Sequence, residues 1–227
     1  NKLIRRHSKK LRRNNINNIC ILITDVKTGK IISYNGNVTG LGFNHNEAVD
    51  IVHAPRSSGS ILKPFLYCQA FDEGFITPYT LLPDIPTHYK GYTPQNYVQS
   101  FAGAVPANKC LAKSLNIPAV RLLEKVELNN FYHKLKSLEI NTLNQPAHHY
   151  GLSIVLGGAE TSLWDLNQAY RKMAWQANQS KKKNTYPPIS FNPEKRIIPF
   201  YSDFNQGAIN LTFNSMLEVI RPGEESN

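Results

Sequence analysis

A serine and a lysine three positions apart, Ser60 and Lys63, are the residues of this chain best suited to covalent chemistry. A serine hydroxyl becomes a good nucleophile when a nearby base removes its proton, and a lysine amine with a lowered pKa can be that base. Positions i and i+3 of a helix share a face, so one helical turn would place the amine beside the hydroxyl. Free N–H groups at the helix start could then donate hydrogen bonds to a developing oxyanion.

Pro64 indicates where this helix begins. Proline is tolerated in the first turn, where its missing N–H costs no hydrogen bond. The apolar residues that follow have helical spacing, and the run ends at Gly74. We therefore predict a helix over about 60–73 that starts close to Ser60. Ser-x-x-Lys is a short pattern, however, and an ordinary helix cap at Ser60 with a solvated Lys63 would also produce it.

A second polar pair, Ser114 and Asn116, precedes another proline, Pro118. Pro118 disfavours a helical conformation at Ile117, which predicts one helix ending near 113–114 and another starting at Pro118. Ser114 and Asn116 would then project together from a short exposed turn. There the hydroxyl could relay a proton and the carboxamide could hold a substrate carbonyl. The alternative is that both are merely good turn-forming residues.

The motifs Ser-x-x-Lys, Ser-Asp-Asn and Lys-Thr-Gly occur together in class A β-lactamases and penicillin-binding proteins. From about residue 18 to its end, more weakly near 175–205, the chain resembles the transpeptidase domain of class A penicillin-binding proteins. Ser58 differs from the family, which commonly has proline there. The resemblance rests on the segments 55–67 (PRSSGSILKPFLY), 80–86 (TLLPDIP), 91–97 (GYTPQNY), 114–120 (SLNIPAV) and 150–160 (YGLSIVLGGAE).

The resemblance implies an α+β fold of the serine β-lactamase/D,D-peptidase-like transpeptidase type. Its antiparallel sheet would be flanked by a helical lobe. The order of the predicted elements, strands first and helices after, also suggests an α+β fold. We expect this fold to be incomplete, with the C-terminal strands missing. The expected organisation is a basic linker helix over residues 1–17 and a penicillin-binding transpeptidase domain over 18–227, truncated before the third motif.

The sequence contains Lys-Thr-Gly at 27–29, far upstream of Ser60. This copy lies between the apolar runs 19–23 and 31–34, which predicts a β-hairpin turn with glycine at the permissive position. The family has an Asp-x-x-Thr-Gly turn here, so we do not assign it to catalysis. Residues 221–227 resemble the lead-in to the missing strand, and we expect the chain to be a fragment. The resemblance places an anchor helix and a glycosyltransferase domain upstream.

The resemblance implies a D,D-transpeptidase that cross-links peptidoglycan stem peptides through an acyl-enzyme on Ser60. Lys63 would be the base, Ser114 would pass the proton to the leaving amine, and Asn116 would hold the substrate amide. β-Lactam antibiotics would acylate Ser60 as substrate mimics. The oxyanion hole would use the Ser60 N–H and an N–H of the missing strand, so we expect the fragment alone to be inactive or very weak.

We expect the protein to act at the periplasmic face of the bacterial inner membrane, held by an anchor outside this sequence. No cofactor or metal is implied. Other functions remain open at this point: a D,D-carboxypeptidase, a β-lactamase-like hydrolase, or a non-enzymatic β-lactam sensor. A basic nucleic-acid binder is a further alternative, because the formal net charge is +10 and residues 1–13 carry seven Lys or Arg and no acid.

Residues 1–13 have apolar side chains at helical spacing, which predicts an amphipathic basic helix. No aromatic residues alternate with its charges as a base-stacking surface would need, so we favour a linker with a solvated face and no nucleic-acid partner. Residues 181–183 (KKK) are predicted to lie in an exposed loop. The longest apolar runs are too short for a membrane span.

The three cysteines, Cys20, Cys68 and Cys110, lie in apolar segments and are predicted to be free thiols packed as small hydrophobes. The proline-rich stretch 77–106 is predicted to be a long functional loop. The remaining periodicity predicts a strand pair at 19–25 and 31–35 and helices at about 107–115, 118–126, 128–138, 161–177 and 207–220.

Overall fold

The computed structural model describes residues 2–42, 44–89, 91–97, 100–179, 185–192, 197–199 and 203–219. Its α-helices are α1 (Lys2–Leu11), α2 (Lys63–Asp72), α3 (Ala107–Ala112), α4 (Asn116–Val126), α5 (Leu128–Ser137), α6 (Ala147–Tyr150), α7 (Leu163–Ala177) and α8 (Gln206–Met216). Its strands are β1 (Ile21–Thr24), β2 (Ile31–Asn35), β3 (Arg56–Ser57), β4 (Leu81–Asp84), β5 (Gly103–Pro106), β6 (Glu160–Thr161), β7 (Thr185–Tyr186) and β8 (Ile198–Pro199). Short 3-10 helices span Arg12–Asn14 and Gly151–Leu156.

The chain divides into two compact units. The first comprises Asn1–Arg56, Glu139–Thr142 and Thr161–Tyr201, and the second comprises Ser57–Leu138, Leu143–Glu160 and Ser202–Asn227. Helices and short antiparallel strand pairs occur together, as an α+β fold requires. The boundary expected at residue 18 stays a prediction.

In the first unit, β1 and β2 form the predicted hairpin, with Ile21 opposite Asn35. Gly29 has a φ of +74°, a conformation that glycine adopts without steric cost. The Asp25 carboxylate accepts hydrogen bonds from the backbone N–H and the hydroxyl of Thr28, both at 2.7 Å. The Lys-Thr-Gly sequence at 27–29 is therefore turn chemistry, as predicted.

The core of the first unit forms beneath this hairpin. Leu22, Ile31 and Val52 are buried, and Trp164 of α7 packs against them. Helix α7 begins at Leu163, capped by the Ser162 hydroxyl, which accepts from the Asp165 N–H at 3.0 Å. The basic N-terminal helix predicted over 1–13 is present as α1.

The second unit is built around α2, whose residues from Lys63 to Phe71 are all buried. A helix that is apolar on every side must be enclosed by other elements. Helix α2 packs against α4 and α8, and α4 contributes fully buried residues of its own. The apolar residues of α2 and α4 with 0% exposure are Phe65, Leu66, Tyr67, Cys68, Ala70, Ile117, Ala119, Val120, Leu123 and Val126.

The stretch 77–106, predicted to be a long functional loop, also contains a strand pair. β4 and β5 pair antiparallel within it, with Pro83 opposite Ala104 and Pro106 opposite Leu81. In a two-stranded ladder each strand has a free edge, and proline is compatible with such an edge because its missing N–H can face outward. The proline content therefore hid a strand pair.

Cys68 and Cys110 are buried free thiols as predicted, whereas Cys20 is only half-buried and lies just before β1. The final helix is shorter than predicted and ends at Met216. Residues 181–183 and 221–227, to which the sequence assigned an exposed loop and a strand lead-in, lie outside the described residues.

Candidate active site

Ser60 lies in a turn that immediately precedes α2. The N–H of Lys63 donates to the Ser60 carbonyl at 3.1 Å, and the N–H of Ile61 donates to the Ser58 carbonyl at 3.2 Å. The prediction that the helix starts close to Ser60 was wrong by three residues, because α2 begins at Lys63. Gly59, with a φ of +53°, turns the chain before the helix can form.

Lys63 is the centre of a hydrogen-bonded cluster in the second unit. Its side chain is buried, with 1% relative exposure. The Nζ atom donates to the Ser114 carbonyl at 2.7 Å, to the Ser114 hydroxyl at 3.2 Å and to Asn116 Oδ1 at 2.7 Å. The structure thus brings together three of the four residues that the sequence predicted for the site.

The Ser60 hydroxyl is the predicted group that stays outside this cluster. Within the described part of the chain it makes no hydrogen bond, and the residue is partly exposed. Catalytic hydrogen bonds are commonly long in an unliganded site and shorten when substrate binds. The backbone hydrogen bond from Lys63 to Ser60 keeps both residues in one turn.

Burial lowers the pKa of Lys63 from 10.5 to about 7. Two of its three partners, the Ser114 carbonyl and Asn116 Oδ1, can only accept hydrogen bonds, so they hold two N–H groups of the amine. The third partner is a hydroxyl, which can accept from an ammonium or donate to a neutral amine. The cluster therefore accommodates Lys63 in either protonation state, as a general base requires.

Ser114 follows α3 in a left-handed conformation, with a φ of 52°. Its N–H donates to the Leu111 carbonyl at 2.9 Å, and the N–H of Leu115 donates to the Cys110 carbonyl at 3.0 Å. Glycine is the usual residue at such a helix end. A serine there is strained, and strain of this kind concentrates at functional sites, where the surrounding structure maintains it.

Asn116 is the first residue of α4, not a member of the preceding turn as predicted. The first four N–H groups of a helix have no partner within it, so Pro118 fits the first turn. The Asn116 side chain is held at both ends: Oδ1 accepts from Lys63, and Nδ2 donates to the Gln95 carbonyl at 2.8 Å. Sequence reasoning assigned no role to Gln95 or Asn96, although both lie in the family-like segment 91–97.

Gly157 supports the segment that leads to Ser60. Its carbonyl accepts from the Ser57 hydroxyl at 2.8 Å. A Cβ atom at this position would lie 2.6 Å from Ser57 Oγ and 3.0 Å from the Gly59 nitrogen. The φ of +102° at Gly157 also disfavours any other residue.

We therefore expect Gly157→Ala to displace residues 57–59 and to destabilise the protein by about 1–3 kcal/mol, through a clash and a strained backbone conformation. Chemical denaturation measures this. Gly42→Ala is the matched control, because Gly42 also has a positive φ, +78°, but an added Cβ would meet nothing within 4 Å. Equal losses for both variants would show that the clash at Gly157 is unimportant.

The low pKa of Lys63 also predicts how stability changes with pH. Between about pH 7 and 10.5 the unfolded chain holds a proton on Lys63 that the folded chain has released. Raising the pH through this window therefore stabilises the folded state, by about 1.4 kcal/mol per pH unit at most. We expect the stability of the wild type relative to Lys63→Met to rise from pH 7 to 9 in denaturation experiments, since the other groups titrate alike in both proteins. A constant difference would contradict the low pKa.

Two other features, a metal site and a membrane-spanning helix, are absent from the described part of the chain. It contains no group of three or more His, Cys, Asp or Glu side chains placed to hold a metal ion. None of its helices has the length and apolar character needed to cross a bilayer.

Residues 19–179 match the sequence pattern of the penicillin binding protein transpeptidase domain. Penicillin-binding protein 1C of Escherichia coli (strain K12) is 38% identical over 133 residues, which cover 59% of this chain and 17% of that protein. Penicillin-binding protein 1A of Rickettsia felis is 31% identical over 171 residues, 73% of this chain and 20% of that protein. The chain thus matches about a fifth or less of the length of these relatives.

The fold has a counterpart among solved structures. The apo TP domain from Burkholderia pseudomallei penicillin-binding protein 3 superposes with a TM-score of 0.74, covering 95% of this chain and 66% of that one at 17% identity. This confirms the transpeptidase-type α+β fold that the resemblance implied. Because the transpeptidase sequence pattern matches more than half of its length, the chain belongs to the penicillin-binding protein transpeptidase domain family.

Proposed function

We propose that this chain carries the acylation chemistry of a peptidoglycan D,D-transpeptidase. The observation that carries the proposal is the buried Lys63 amine, hydrogen-bonded to Ser114 and Asn116 and with a pKa lowered to about 7. Burying an amine costs free energy of hydration, and an amine with a pKa lowered in this way is suited to accepting a proton at neutral pH. Family membership supplies the substrate class, a stem peptide that ends in D-alanyl-D-alanine.

In the proposed reaction Ser60 attacks the carbonyl carbon of the penultimate D-alanine. Lys63 accepts the hydroxyl proton as the Oγ–C bond forms, either directly or through the Ser114 hydroxyl. The peptide C–N bond then breaks, Ser114 passes a proton to the leaving amine, and the terminal D-alanine departs. Asn116, oriented by Gln95, holds the substrate amide. An amine of a second stem peptide finally attacks the acyl-enzyme and releases Ser60.

We also propose the setting in which this chemistry takes place. The names of the relatives, penicillin-binding proteins 1C and 1A, support a class A protein that joins a transpeptidase to a glycosyltransferase. Such a protein would be anchored in the inner membrane, act at its periplasmic face and bind β-lactams. Within this chain, α1 supports a basic linker over residues 1–17 ahead of a transpeptidase domain over 18–227.

The test is covalent labelling of the complete gene product with a fluorescent penicillin, followed by peptide mapping. We expect one adduct, on the peptide that contains Ser60, with a lifetime of minutes to hours. An adduct that turns over within milliseconds would indicate a β-lactamase. A long-lived adduct in a cell whose wall cross-linking is unchanged by loss of the labelled serine would indicate a β-lactam sensor. No adduct at all would refute the proposal.

A further inference from the structure

A buried carboxylate lies at the end of β4. It belongs to a residue that was not predicted to be part of the site. Asp84 has 1% relative exposure. Its Oδ1 accepts from Asn96 Nδ2 at 2.8 Å, and its Oδ2 accepts from the N–H of Ala102 at 2.9 Å. Both carboxylate oxygens are therefore engaged by N–H donors, which is the arrangement that compensates the burial of an ionised acid.

Asn96 connects this carboxylate to the start of α4. Its side chain is also buried, with 8% exposure. While Nδ2 donates to Asp84, Oδ1 accepts from the backbone N–H of Asn116 at 2.9 Å and from that of Ile117 at 3.4 Å. The helix has Leu115 at its N-cap, a residue without a side-chain acceptor. Asn96 therefore supplies from another segment the cap that α4 lacks in its own sequence.

Two acceptors determine which way the Asn96 amide faces: the Asp84 carboxylate, and the Ser100 carbonyl, which accepts from the same Nδ2 at 3.1 Å. A carboxylate can only accept, so the Nδ2 end of Asn96 must point to Asp84, and the Oδ1 end then faces Asn116. Asn116 in turn accepts from Lys63 through its own Oδ1. The hydrogen bonds form one continuous path from Asp84 through Asn96 and Asn116 to the Lys63 amine.

We propose that Asp84 and Asn96 are positioning residues for acylation: they hold the first residue of α4, and through it the Lys63 amine, in the arrangement that activates Ser60. The inference rests on the proposed function. Neither residue hydrogen-bonds to the Ser60 side chain within the described structure, so both act through Asn116. Misplacement of a catalytic group by about 1 Å can reduce the reaction rate about 100-fold.

The experiment uses the complete gene product and the rate of acylation by fluorescent penicillin. Asn96→Asp places a carboxylate against Asp84 and should reduce the rate by about 10- to 100-fold. The D84N/N96D double variant exchanges the two groups. The amide introduced at position 84 can then donate to the carboxylate introduced at position 96, which still accepts from the Asn116 N–H. We expect this double variant to recover part of the lost rate, because the bond between positions 84 and 96 is restored while the Ser100 carbonyl still loses its donor.

Asn108→Ala is the matched control for the loss of a buried asparagine. Asn108 has the same exposure as Asn96, 8%, and its Nδ2 donates to the Glu218 carboxylate at 3.1 Å. Among the described residues, Asn108 makes no hydrogen bond to Asn116 or Lys63. We expect Asn108→Ala to lower the melting temperature about as much as Asn96→Ala while leaving the acylation rate of the folded protein within about twofold of the wild type.

Two readouts separate positioning from a merely structural role. The acylation rate of Asn96→Ala should have its acidic midpoint at lower pH than the wild type, because the Lys63 ammonium loses a well-oriented acceptor. Hydrogen exchange at the Asn116 N–H should be faster in Asn96→Ala than in the wild type.

A wild-type acylation rate and an unchanged midpoint in Asn96→Ala, with only its melting temperature reduced, would overturn the inference. Failure of the wild type itself to label would instead refute the proposed function, whereas the exchange measurement would still test the contact.

Discussion

Ser60→Ala is expected to abolish covalent labelling by penicillin. The proposed acyl-enzyme needs the Oγ atom as its point of attachment, so no arrangement of the remaining groups can replace it. The fold should be retained, because the Ser60 hydroxyl has no hydrogen-bond partner in the described part of the chain, and the stability should change by less than about 0.5 kcal/mol. Gel fluorescence after incubation with the probe measures labelling, and thermal denaturation measures the fold.

Ser58→Ala is the matched control for this experiment. Ser58 lies two residues away in the same segment, and its buried hydroxyl has no hydrogen-bond partner among the residues that the structure describes. Removing an unsatisfied buried hydroxyl should leave labelling intact and leave the stability unchanged or raise it by about 1 kcal/mol. If Ser60→Ala still labels at the wild-type rate, the nucleophile is another residue and the proposed mechanism is wrong.

Lys63 should account for the second largest loss. We expect both Lys63→Met and Lys63→Arg to lower the acylation rate by about 10²- to 10⁴-fold, the usual contribution of a general base. Methionine preserves the buried apolar stem without the amine, whereas arginine keeps the positive charge but cannot release a proton at any accessible pH. The pair of variants therefore separates proton transfer from simple electrostatic attraction.

The pH dependence gives an independent check on the same residue. Since burial lowers the pKa of Lys63 to about 7, the wild-type acylation rate should increase with pH through a midpoint near that value. This increase with pH should be missing from Lys63→Met and from Lys63→Arg. Lys125→Met is the control, because Lys125 is exposed and bonds only the Phe75 carbonyl at 3.1 Å among the described residues. Substantial activity in Lys63→Arg would show that a fixed positive charge is sufficient.

Much of the site could be predicted from short segments of sequence. The spacing of Ser60 and Lys63, with Pro64 behind them, places both residues in one turn, and that turn is local. The hairpin turn at 25–30 could also be predicted, because a glycine between two apolar runs is typical of a tight turn that joins two strands. Errors in these regions amount to a few residues at helix ends: α2 starts at Lys63 instead of near Ser60, and α4 starts at Asn116 instead of Pro118.

Contacts between distant segments were beyond such reasoning. The bond from Lys63 to the Ser114 hydroxyl joins residues 51 positions apart, and the Asn96 cap on Asn116 spans 20. The strand pair within 77–106 was missed for the same reason, since a ladder depends on a partner strand that periodicity in one segment does not reveal.

Sequence alone therefore determined which side chains we propose to carry the chemistry, because residue type and local spacing decide what a hydroxyl, an amine or a carboxamide can do within one turn. Only the tertiary structure decided the pKa of the amine and the direction of the hydrogen bonds around it. Burial of Lys63 among α2, α4 and their neighbours lowers its pKa, and Asp84 and the Ser100 carbonyl orient the amide that caps α4. Desolvation and hydrogen-bond direction arise from segments that meet in space, and no local pattern records them.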